Sequence, residues 1–324
     1  MKAIVYRKNG PPDVLTCEEI EKPSPGDQDV LIRVSAAAVN PLDCHLLKGG
    51  PPLARLLFGA HKLRQPGVDV AGVVEAIGLG VTQFKPGDAV FGTCRGAFAE
   101  YAVGPAAALA IKPPGASFES AAASPVAALT ALQGLRDHGK LQPGQHVLIN
   151  GASGGVGTYA VQLAKIFGAH VTAVCSARNA DLVRSLGADH VIDYASEDFS
   201  AGTARYDLIF DLAGNHSFSA CKRVLTPHGI WVGAGILDGP KSMLVLFGGL
   251  LVTLTRSRFS RLKFVVFIAK VNGQDLSRIG ELLASGKLQS VIDKRYTLDE
   301  VPEAMRYQAT WHSKGKLVIN LIVS

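Results

Sequence analysis

Two different patterns of hydrophobic and polar positions divide the chain. From Met1 to about Gly115, short apolar runs alternate with proline and glycine turns, which is typical of a β-rich region. The clearest predicted strands in this region are Asp29–Ser35, Ala71–Ile77 and Asp88–Phe91. The pattern therefore predicts a first domain that is built mainly of strands.

After Pro113-Pro114-Gly115 the pattern changes to repeated units of a strand followed by a helix. An alanine-rich helical pattern runs first, from Phe118 to His138. The predicted strands that follow are His146–Asn150, His170–Cys175, His190–Asp193, Tyr206–Asp211, Gly229–Gly233 and Lys263–Ile268. Such alternation predicts an α/β fold with a doubly wound parallel sheet that begins near Ser117.

The end of the chain departs from this alternation. Asp275–Ser285 is predicted as a helix, and Ser290–Tyr296 and Lys316–Val323 are predicted as strands. Because these last strands have no helix partner in register with the parallel sheet, we expect them to return to the first domain. The predicted domains are residues 1–117 with 290–324, and residues 118–289.

Composition and charge exclude several classes of protein. The 324 residues include 33 basic and 27 acidic side chains, and the net charge of +6 is spread along the chain. Because no basic tail or cluster dominates, we expect no nucleic-acid partner. A mildly basic surface suits an anionic ligand such as a dinucleotide phosphate.

Cysteine spacing and the amino terminus bear on the compartment. Five cysteines without any Cys-x-x-Cys pair predict neither a disulfide framework nor a structural zinc lobe, and they fit a reducing compartment. The sequence after Met1 begins with strand-like alternation rather than a long apolar run, so we predict no signal peptide. These observations favour a cytoplasmic location.

Two stretches raise the question of a membrane. Met243–Leu254 is apolar, but its 12 residues are too few to cross a hydrocarbon core of about 30 Å. A basic run with apolar neighbours follows, and it consists of Arg256, Arg258, Arg261 and Lys263. This run either binds a membrane surface or forms a solvated face, and the second interpretation is favoured.

A glycine-rich turn carries the strongest chemical signal. The predicted strand His146–Asn150 leads directly into the turn Gly151-Ala152-Ser153-Gly154-Gly155-Val156-Gly157, and helical spacing follows from Thr158 to Phe167. Glycines let the backbone approach a pyrophosphate, and a helix N-terminus offers N–H groups to it. A glycine turn that only packs a helix on a strand is the alternative, but the strand, turn and helix occur in the order that a dinucleotide site requires.

The end of the next predicted strand bears on the choice of dinucleotide. An Asp or Glu there would bind the ribose 2′-hydroxyl of NAD, but the chain has Ser176 and Arg178 instead. A hydroxyl and a guanidinium suit a 2′-phosphate, which favours NADPH. In the alternative, Ser176 caps the following helix, Arg178 is a solvated helix residue and Asp181 lies in the first turn. Tyr194, after the third strand, is a candidate neighbour of the adenine ribose.

Several motifs together resemble the quinone oxidoreductase and enone reductase branch of the medium-chain dehydrogenase/reductases, along essentially the whole chain. They are Ala38-Val-Asn-Pro-Leu-Asp43, Pro66-Gly-Val-Asp-Val-Ala-Gly-Val-Val74, Phe84-Lys-Pro-Gly-Asp-Ala-Val-Phe-Gly92, Gly96-Ala-Phe-Ala-Glu-Tyr101, Ala152-Ser-Gly-Gly-Val-Gly157, Ser176-Ala-Arg-Asn179, Ser185-Leu-Gly-Ala-Asp189 and Asp193-Tyr194. The resemblance implies a β-rich, GroES-like catalytic domain from both chain ends and an inserted Rossmann domain. It also implies that a homodimer forms in many relatives through the Rossmann sheet.

The resemblance also assigns site residues. It implies 2′-phosphate contacts at Ser176, Arg178 and Tyr194, and a catalytic segment from Asn40 to Lys48. The remaining cofactor-binding candidates are Ser153, Gly154, Gly155, Val156, Gly157, Gly233, Ala234, Gly235 and Lys316. Zinc alcohol dehydrogenases of the superfamily carry a cysteine at the position of Asn40 and a histidine-glutamate pair at Val68-Asp69. Since asparagine is a poor zinc ligand and valine is none, we predict no catalytic metal.

The absence of a zinc ligand set favours substrates that accept hydride at carbon and spread the charge onto oxygen, namely quinones and α,β-unsaturated carbonyls. In this hypothesis NADPH delivers hydride to the β-carbon, donors hold the enolate oxygen, and water or a side chain protonates the α-carbon. The catalytic candidates are Asn40, Asp43 and His45. Asn40 is either a donor or a turn residue before proline, and His45 replaces a lysine that the resemblance implies.

Two other functions remain open at this point. The first is an NADPH-binding regulatory or membrane-associated protein with little catalysis, which His45 and the basic run motivate. The second is a zinc-free reductase of simple aldehydes. The sequence names neither the physiological substrate nor the proton donor.

Overall fold

The structure is a computed structural model that describes residues 1–49, 64–234 and 263–321. Its strands are β1 (Lys2–Val5), β2 (Thr16–Glu19), β3 (Asp29–Val39), β4 (Asp69–Ile77), β5 (Ala89–Thr93), β6 (Tyr101–Pro105), β7 (Leu109–Ile111), β8 (His146–Asn150), β9 (His170–Cys175), β10 (His190–Asp193), β11 (Tyr206–Asp211), β12 (Leu225–Gly233), β13 (Lys263–Val266), β14 (Ile292–Thr297) and β15 (Lys316–Asn320). Its α-helices are α1 (Pro41–Lys48), α2 (Phe118–Ala122), α3 (Pro125–Gln133), α4 (Gly155–Ile166), α5 (Ala180–Ser185), α6 (Phe218–Val224), α7 (Gly273–Ala284) and α8 (Val301–Gln308).

The chain divides into two units, each with its own sheet. Unit 1 comprises Met1–Leu129 with Lys270–Ser324, and unit 2 comprises Thr130–Ala269. The domain boundaries predicted at 117/118 and 289/290 stay a prediction, and the grouping by contacts divides the chain at other residues. Helix α7, for example, packs against β7 of unit 1.

Unit 2 contains a six-stranded parallel sheet in the order β10-β9-β8-β11-β12-β13. This is the strand order of a doubly wound dinucleotide-binding fold, which reverses direction between β8 and β11. Strands of this kind are covered on both faces, so they appear in the sequence as continuous apolar runs. The predicted parallel sheet is confirmed, and the bounds predicted for β8, β9, β10 and β11 agree with the structure.

The other two strands of this sheet differ from prediction. Strand β12 begins at Leu225 rather than Gly229, because Tyr206 of β11 pairs with Leu225 across an irregular step. Strand β13 ends at Val266, two residues early, and the side chain of Ile268 is exposed.

The long helix predicted for residues 118–138 is wrong in one respect, because the structure has three shorter elements there. Helix α2 ends at Ala122, α3 begins at Pro125, and a π-helical turn covers Gly134–His138. Pro125 explains the break, since a proline lacks the amide hydrogen that a continuous helix needs and restricts the residue before it.

Unit 1 contains a seven-stranded sheet in the order β14-β15-β3-β4-β5-β7, with β6 paired to β3. Strand β15 pairs antiparallel with β3, so the prediction that the last strands return to the first region is confirmed. Helix α8, which was not predicted, connects the parallel pair β14 and β15 within unit 1. The apolar spacing of Val301, Ala304 and Met305 is the signal for this helix. Within the described residues, no helix is long and apolar enough to cross a membrane.

Candidate functional site

The glycine-rich turn lies between β8 and α4 of unit 2, as predicted. Gly151 adopts a left-handed backbone conformation with φ of 88°. A Cβ atom on Gly157 would lie 2.2 Å from the carbonyl oxygen of Gly151, so only glycine lets the helix start this close to the turn. Gly154 is the N-cap residue of α4 and has no side chain that could cap the helix. The first-turn amides of Gly155 and Val156 therefore receive no side-chain cap. This arrangement suits a pyrophosphate.

The residues predicted to select the 2′-phosphate meet at the carboxyl end of β9. Ser176 follows β9, Arg178 lies in the 3-10 turn Ala177–Asn179, and the amide of Tyr194 donates to the carbonyl of Cys175 at 3.2 Å. The side chain of Arg178 is exposed, and Tyr194 is 57% exposed to solvent. Across the described residues, the guanidinium of Arg178 has no hydrogen bond or ion pair.

The structure agrees with the solvated Arg178 of the alternative interpretation, but not with a capping bond from the side chain of Ser176. Ser176 makes no capping hydrogen bond through its side chain, and α5 begins only at Ala180. Asp181 does lie in the first turn of α5, where it pairs with Arg184 at 3.1 Å rather than with Arg178. Both the hydroxyl of Ser176 and the guanidinium of Arg178 are therefore placed where a ligand can reach them.

Asn179 joins the carboxyl end of β9 to the glycine-rich turn, and it was not among the predicted site residues. Its Nδ2 donates to Oγ of Ser153, in the glycine-rich turn, at 2.9 Å. Its Oδ1 is buried and accepts no hydrogen bond from the part of the chain that the structure describes. The signal was a polar residue directly after Arg178 at the end of a buried strand.

A second pair of missed residues ends the two central strands of the sheet. Asn150 of β8 and Asp211 of β11 lie side by side in register, at the point where the strand order reverses. Nδ2 of Asn150 donates to Oδ1 of Asp211 at 2.9 Å, and the amides of Ala213 and Gly214 donate to the same oxygen. Burial raises the pKa of Asp211, and these hydrogen bonds oppose the rise.

The predicted cofactor residues after β12 lie beside this pair. Gly233 is the last residue of β12, and the amide of Ala234 donates to the carbonyl of Asp211 at 3.2 Å. Gly235 and the basic residues Arg256, Arg258 and Arg261 lie outside the described residues. Lys263 is the first residue of β13.

The catalytic candidates lie on α1 in unit 1, where two of the three are buried. Asn40 precedes the helix, and its backbone amide donates to Oδ2 of Asp43 at 2.8 Å. Its side-chain Nδ2 donates to Oδ2 of Asp69 at 2.9 Å and to the carbonyl of Ala38 at 3.5 Å. A donor role of Asn40 toward substrate stays a prediction, since it would require one of these bonds to break.

Lys316 completes this cluster, which we call the buried charge cluster and define as Asn40, Asp43, Asp69 and Lys316. The Nζ atom of Lys316 donates to Oδ1 of Asn40 at 2.5 Å and lies 3.3 Å from Oδ2 of Asp69. The side chains of Lys316 and Asp69 are 3% and 0% exposed. The cofactor contact predicted for Lys316 stays a prediction, and the bonds observed within unit 1 are to these two side chains.

Asp69 was not among the predicted site residues, although it bonds to three other segments of unit 1. Its Oδ1 accepts from the amide of Val126 at the start of α3, while Oδ2 faces Asn40 and Lys316. Burial raises the pKa of Asp69, and the ammonium of Lys316 is the main opposing influence. The signal was a single acid within the apolar run of β4.

Asp43 is the second enclosed acid of the cluster. Burial raises its pKa to about 7, the amide of Asn40 opposes the rise, and the charge of Asp69 adds to it. His45, two residues later on α1, is half-buried, and its ring centroid lies 6.3 Å from that of Trp311. The three catalytic candidates therefore differ in environment: His45 is the least buried residue of the three, although its Nε2 atom is buried.

The positions expected to bind zinc in zinc alcohol dehydrogenases carry other chemistry here. Asn40 uses its amide within the buried charge cluster, and Val68 offers no ligand atom. Within residues 1–49, 64–234 and 263–321, no group of three or more His, Cys, Asp or Glu side chains is arranged to hold a metal ion.

Comparison with known proteins agrees with the fold. The model "Alcohol dehydrogenase GroES-like domain" matches residues 26–114, and the model "Zinc-binding dehydrogenase" matches residues 186–319. The chain is 37% identical to the chloroplastic quinone-oxidoreductase QR1 of Triphysaria versicolor over 93% of this chain and 92% of that protein. It is 34% identical to 2-methylene-furan-3-one reductase of Solanum lycopersicum, over 99% and 79% of the two chains.

A solved quinone oxidoreductase from Coxiella burnetii has the same fold, with a TM-score of 0.88, 30% identity and 99% coverage of both chains. A GroES-like unit and a dinucleotide-binding unit define an oxidoreductase that binds a nicotinamide cofactor. The chain belongs to the zinc-free-type quinone oxidoreductase branch of the medium-chain dehydrogenase/reductases. Because a similar protein is described as chloroplastic, the cytoplasmic location stays a prediction.

Proposed function

We propose that this chain is an NADPH-dependent oxidoreductase that reduces quinones, or the activated C=C bond of α,β-unsaturated carbonyls, without zinc. One observation carries the cofactor part of the proposal. The carboxyl end of β9 offers a hydroxyl and an exposed guanidinium, at Ser176 and Arg178, where an NAD enzyme would carry an acid.

Two parts of the cofactor, the pyrophosphate and the 2′-phosphate, would have matching groups in unit 2. The turn Gly151–Gly157 and the start of α4 would hold the pyrophosphate, and Ser176, Arg178 and Tyr194 would hold the 2′-phosphate. The bound nicotinamide supplies hydride. The residues of this chain bind and orient it, and the link from Asn179 to Ser153 keeps the two phosphate sites at a fixed spacing.

The substrate class follows from the chemistry of unit 1 together with the relatives. Asn40 and Val68 supply no zinc ligands, so a substrate that distributes the developing charge over its own conjugated oxygen is favoured. Two similar proteins are described as a quinone oxidoreductase and a furanone reductase, and both descriptions fit such substrates.

We propose His45 as the α1 side chain that is best placed to exchange a proton or donate a hydrogen bond to substrate, because it is the least enclosed of the three candidates. Burial raises the pKa of Asp43 to about 7, so this carboxyl group is partly protonated near neutral pH. Its carboxyl group would then hold the start of α1, through the backbone amide of Asn40, and would not contact substrate. Asn40 has the same positioning role through Asp69.

The proposal is tested by following the absorbance of NADPH with the purified protein and three acceptors: a para-quinone, an enone and a saturated aldehyde. We expect oxidation of NADPH only with the quinone or the enone, and no dependence on added zinc. Binding of NADPH without turnover of any acceptor would favour a regulatory protein, and turnover of the aldehyde alone would favour an aldehyde reductase. Either outcome contradicts the proposal.

A pair of matched histidine variants tests the role of His45. His45→Gln removes the imidazole from α1, and His228→Gln makes the same change at an exposed histidine on β12. We expect a loss of kcat of about 10²-fold in the first variant, as for a general acid, and little change in the second. Equal rates in both variants would exclude His45 as the proton donor.

A further inference from the structure

A chain of hydrogen bonds leads from the central strands of unit 2 to its surface. It begins at Asp211, which is fully buried, and passes through Asn150 and Asn215 to His216. His216 in turn faces Asp198, whose side chain is 55% exposed. We call these five residues the polar chain, and none of them is among the predicted site residues.

The polar chain fixes the orientation of both amides. Oδ1 of Asp211 also receives the amides of Ala213 and Gly214, so it is an acceptor and Asn150 must present its Nδ2 hydrogens. One of these hydrogens goes to Asp211 and the other to Oδ1 of Asn215, at 2.8 Å. Oδ1 of Asn215 is therefore an acceptor as well.

Both ring nitrogens of His216 consequently face acceptors. Nδ1 lies 2.9 Å from Oδ1 of Asn215, and Nε2 lies 3.1 Å from Oδ1 of Asp198. A neutral imidazole has only one N–H, so it satisfies one of the two contacts and places a lone pair against an oxygen in the other. Only the imidazolium donates to both. The ring of Phe199 lies on His216, with the centroids 4.3 Å apart.

Three other titratable groups share this region. Asp198 comes from the 3-10 turn before β11, Asp211 ends β11, and Cys221 lies on α6 within electrostatic reach of both carboxylates. Hydrogen bonds from Ser200 and His216 lower the pKa of Asp198, so it stays ionised at neutral pH. The two carboxylates attract a positive charge on His216, and burial holds the thiol of Cys221 protonated by raising its pKa to about 12.

The polar chain begins at the two strand ends where a dinucleotide would bind. Asn150 is the residue directly before Gly151, and Asp211 precedes the turn whose amides it binds. Both strand ends meet where a doubly wound sheet binds its ligand. Oδ2 of Asp211 is buried and, within the described part of the chain, has no hydrogen-bond partner, so the charge of this acid depends on what surrounds it.

We propose that His216, as an imidazolium, is a positioning residue that holds the cofactor-binding ends of β8 and β11 through Asn215 and Asn150. This inference rests on the proposed nicotinamide cofactor. Loss of the proton removes one donor and turns a ring nitrogen toward an acceptor. The link to the strand ends is then weakened, and affinity for the dinucleotide falls as the pH rises.

The first test does not involve the cofactor. Nitrogen NMR of the ring of His216, assigned by its loss in His216→Gln, reports which nitrogens carry protons. We expect both nitrogens to carry protons in the wild type, and we expect one of them to lose its proton in Asp198→Asn at the same pH. A single N–H on His216 in both proteins would overturn the proposal.

The second test measures the affinity for NADH, which has no 2′-phosphate to titrate, between about pH 5 and about pH 8. We expect the Kd of the wild type to rise by about fivefold to tenfold over this range, as for loss of a charged hydrogen bond. In His216→Gln the Kd should be weak and nearly constant, because glutamine does not titrate. The matched control is His228→Gln, an exposed histidine on β12, which should behave as the wild type.

The outcomes separate this inference from the proposed function. If neither NADH nor NADPH binds the wild type at any pH, the proposed function fails, and the NMR result still decides the state of His216. If cofactor binds and its affinity has the same pH dependence in the wild type and in His216→Gln, the positioning role is wrong. A fall in thermal stability of His216→Gln that leaves the pH dependence unchanged also contradicts the positioning role.

Discussion

The two units use charged and polar side chains in opposite ways. In unit 1, Lys316 and Asp69 are enclosed and are bonded to each other and to Asn40. In unit 2, Arg178 is exposed, and the first turn of α4 is uncapped. The side chains of the buried charge cluster thus bond to one another, whereas the donors at the edge of unit 2 are available to bind an anion.

This difference separates residues that hold the fold from residues that hold a ligand. An ion pair without water is stable only when both partners are present, so removing either partner leaves an expensive buried charge. Removal of an exposed guanidinium leaves the free energy of unfolding nearly unchanged. It lowers the affinity only for a ligand whose phosphate the guanidinium binds. Mutations in the two units should therefore differ in whether stability or affinity changes.

The largest effect is expected for Lys316→Met, which leaves Asp69 buried without its cation. We expect a loss of about 3–5 kcal/mol in the free energy of unfolding, measured by chemical denaturation. The double variant Asp69→Asn/Lys316→Met removes both charges and should recover most of this loss. Wild-type stability in Lys316→Met would show that the pair does not hold unit 1 together.

The same double variant tests the cofactor contact predicted for Lys316. If Lys316 acts only within the buried charge cluster, the variant should bind NADPH with nearly wild-type affinity, as measured by titration. A loss of tenfold or more in a variant that remains folded would support the contact that the sequence predicts and would weaken the contrast between the two units.

A smaller loss of stability is expected for Gly157→Ala in unit 2. The new Cβ would lie 2.2 Å from the backbone oxygen of Gly151, so the start of α4 must move and NADPH binding should be lost. We expect a cost of about 1–3 kcal/mol. Gly154→Ala is the matched control for stability, since its Cβ would lie 3.5 Å from the same oxygen. If both variants are equally stable, the close approach is not required.

A pH dependence of stability is expected from Asp43. Its pKa rises from the ordinary value of 3.8 to about 7 on folding, so the folded chain binds more protons than the unfolded chain between these values. Stability from this group is therefore present at low pH and decreases as the pH rises from about 4 to about 7. We expect Asp43→Asn to flatten the fall in Tm over this range, and an unchanged pH profile would contradict it.

Local patterns predicted unit 2 better than unit 1. Strands β8 to β11 are continuous apolar runs with polar ends, and the glycine-rich turn is contiguous, so a short window of sequence contains the whole signal. The pairing of Lys316 with Asp69 joins residues 247 positions apart, and no local pattern contains it. The register that places Asn150 beside Asp211 is likewise a property of the sheet, although polar residues at the ends of buried strands were a usable hint.

The most direct test of the exposed edge of unit 2 is a titration of the wild type and Arg178→Ala with NADPH and with NADH. We expect the wild type to prefer NADPH. We expect Arg178→Ala to weaken binding of NADPH by about 10-fold to 100-fold while binding of NADH changes little, because only NADPH offers a 2′-phosphate. The free energy of unfolding of Arg178→Ala should equal that of the wild type. Equal losses for both dinucleotides, or a wild type that prefers NADH, would contradict the account.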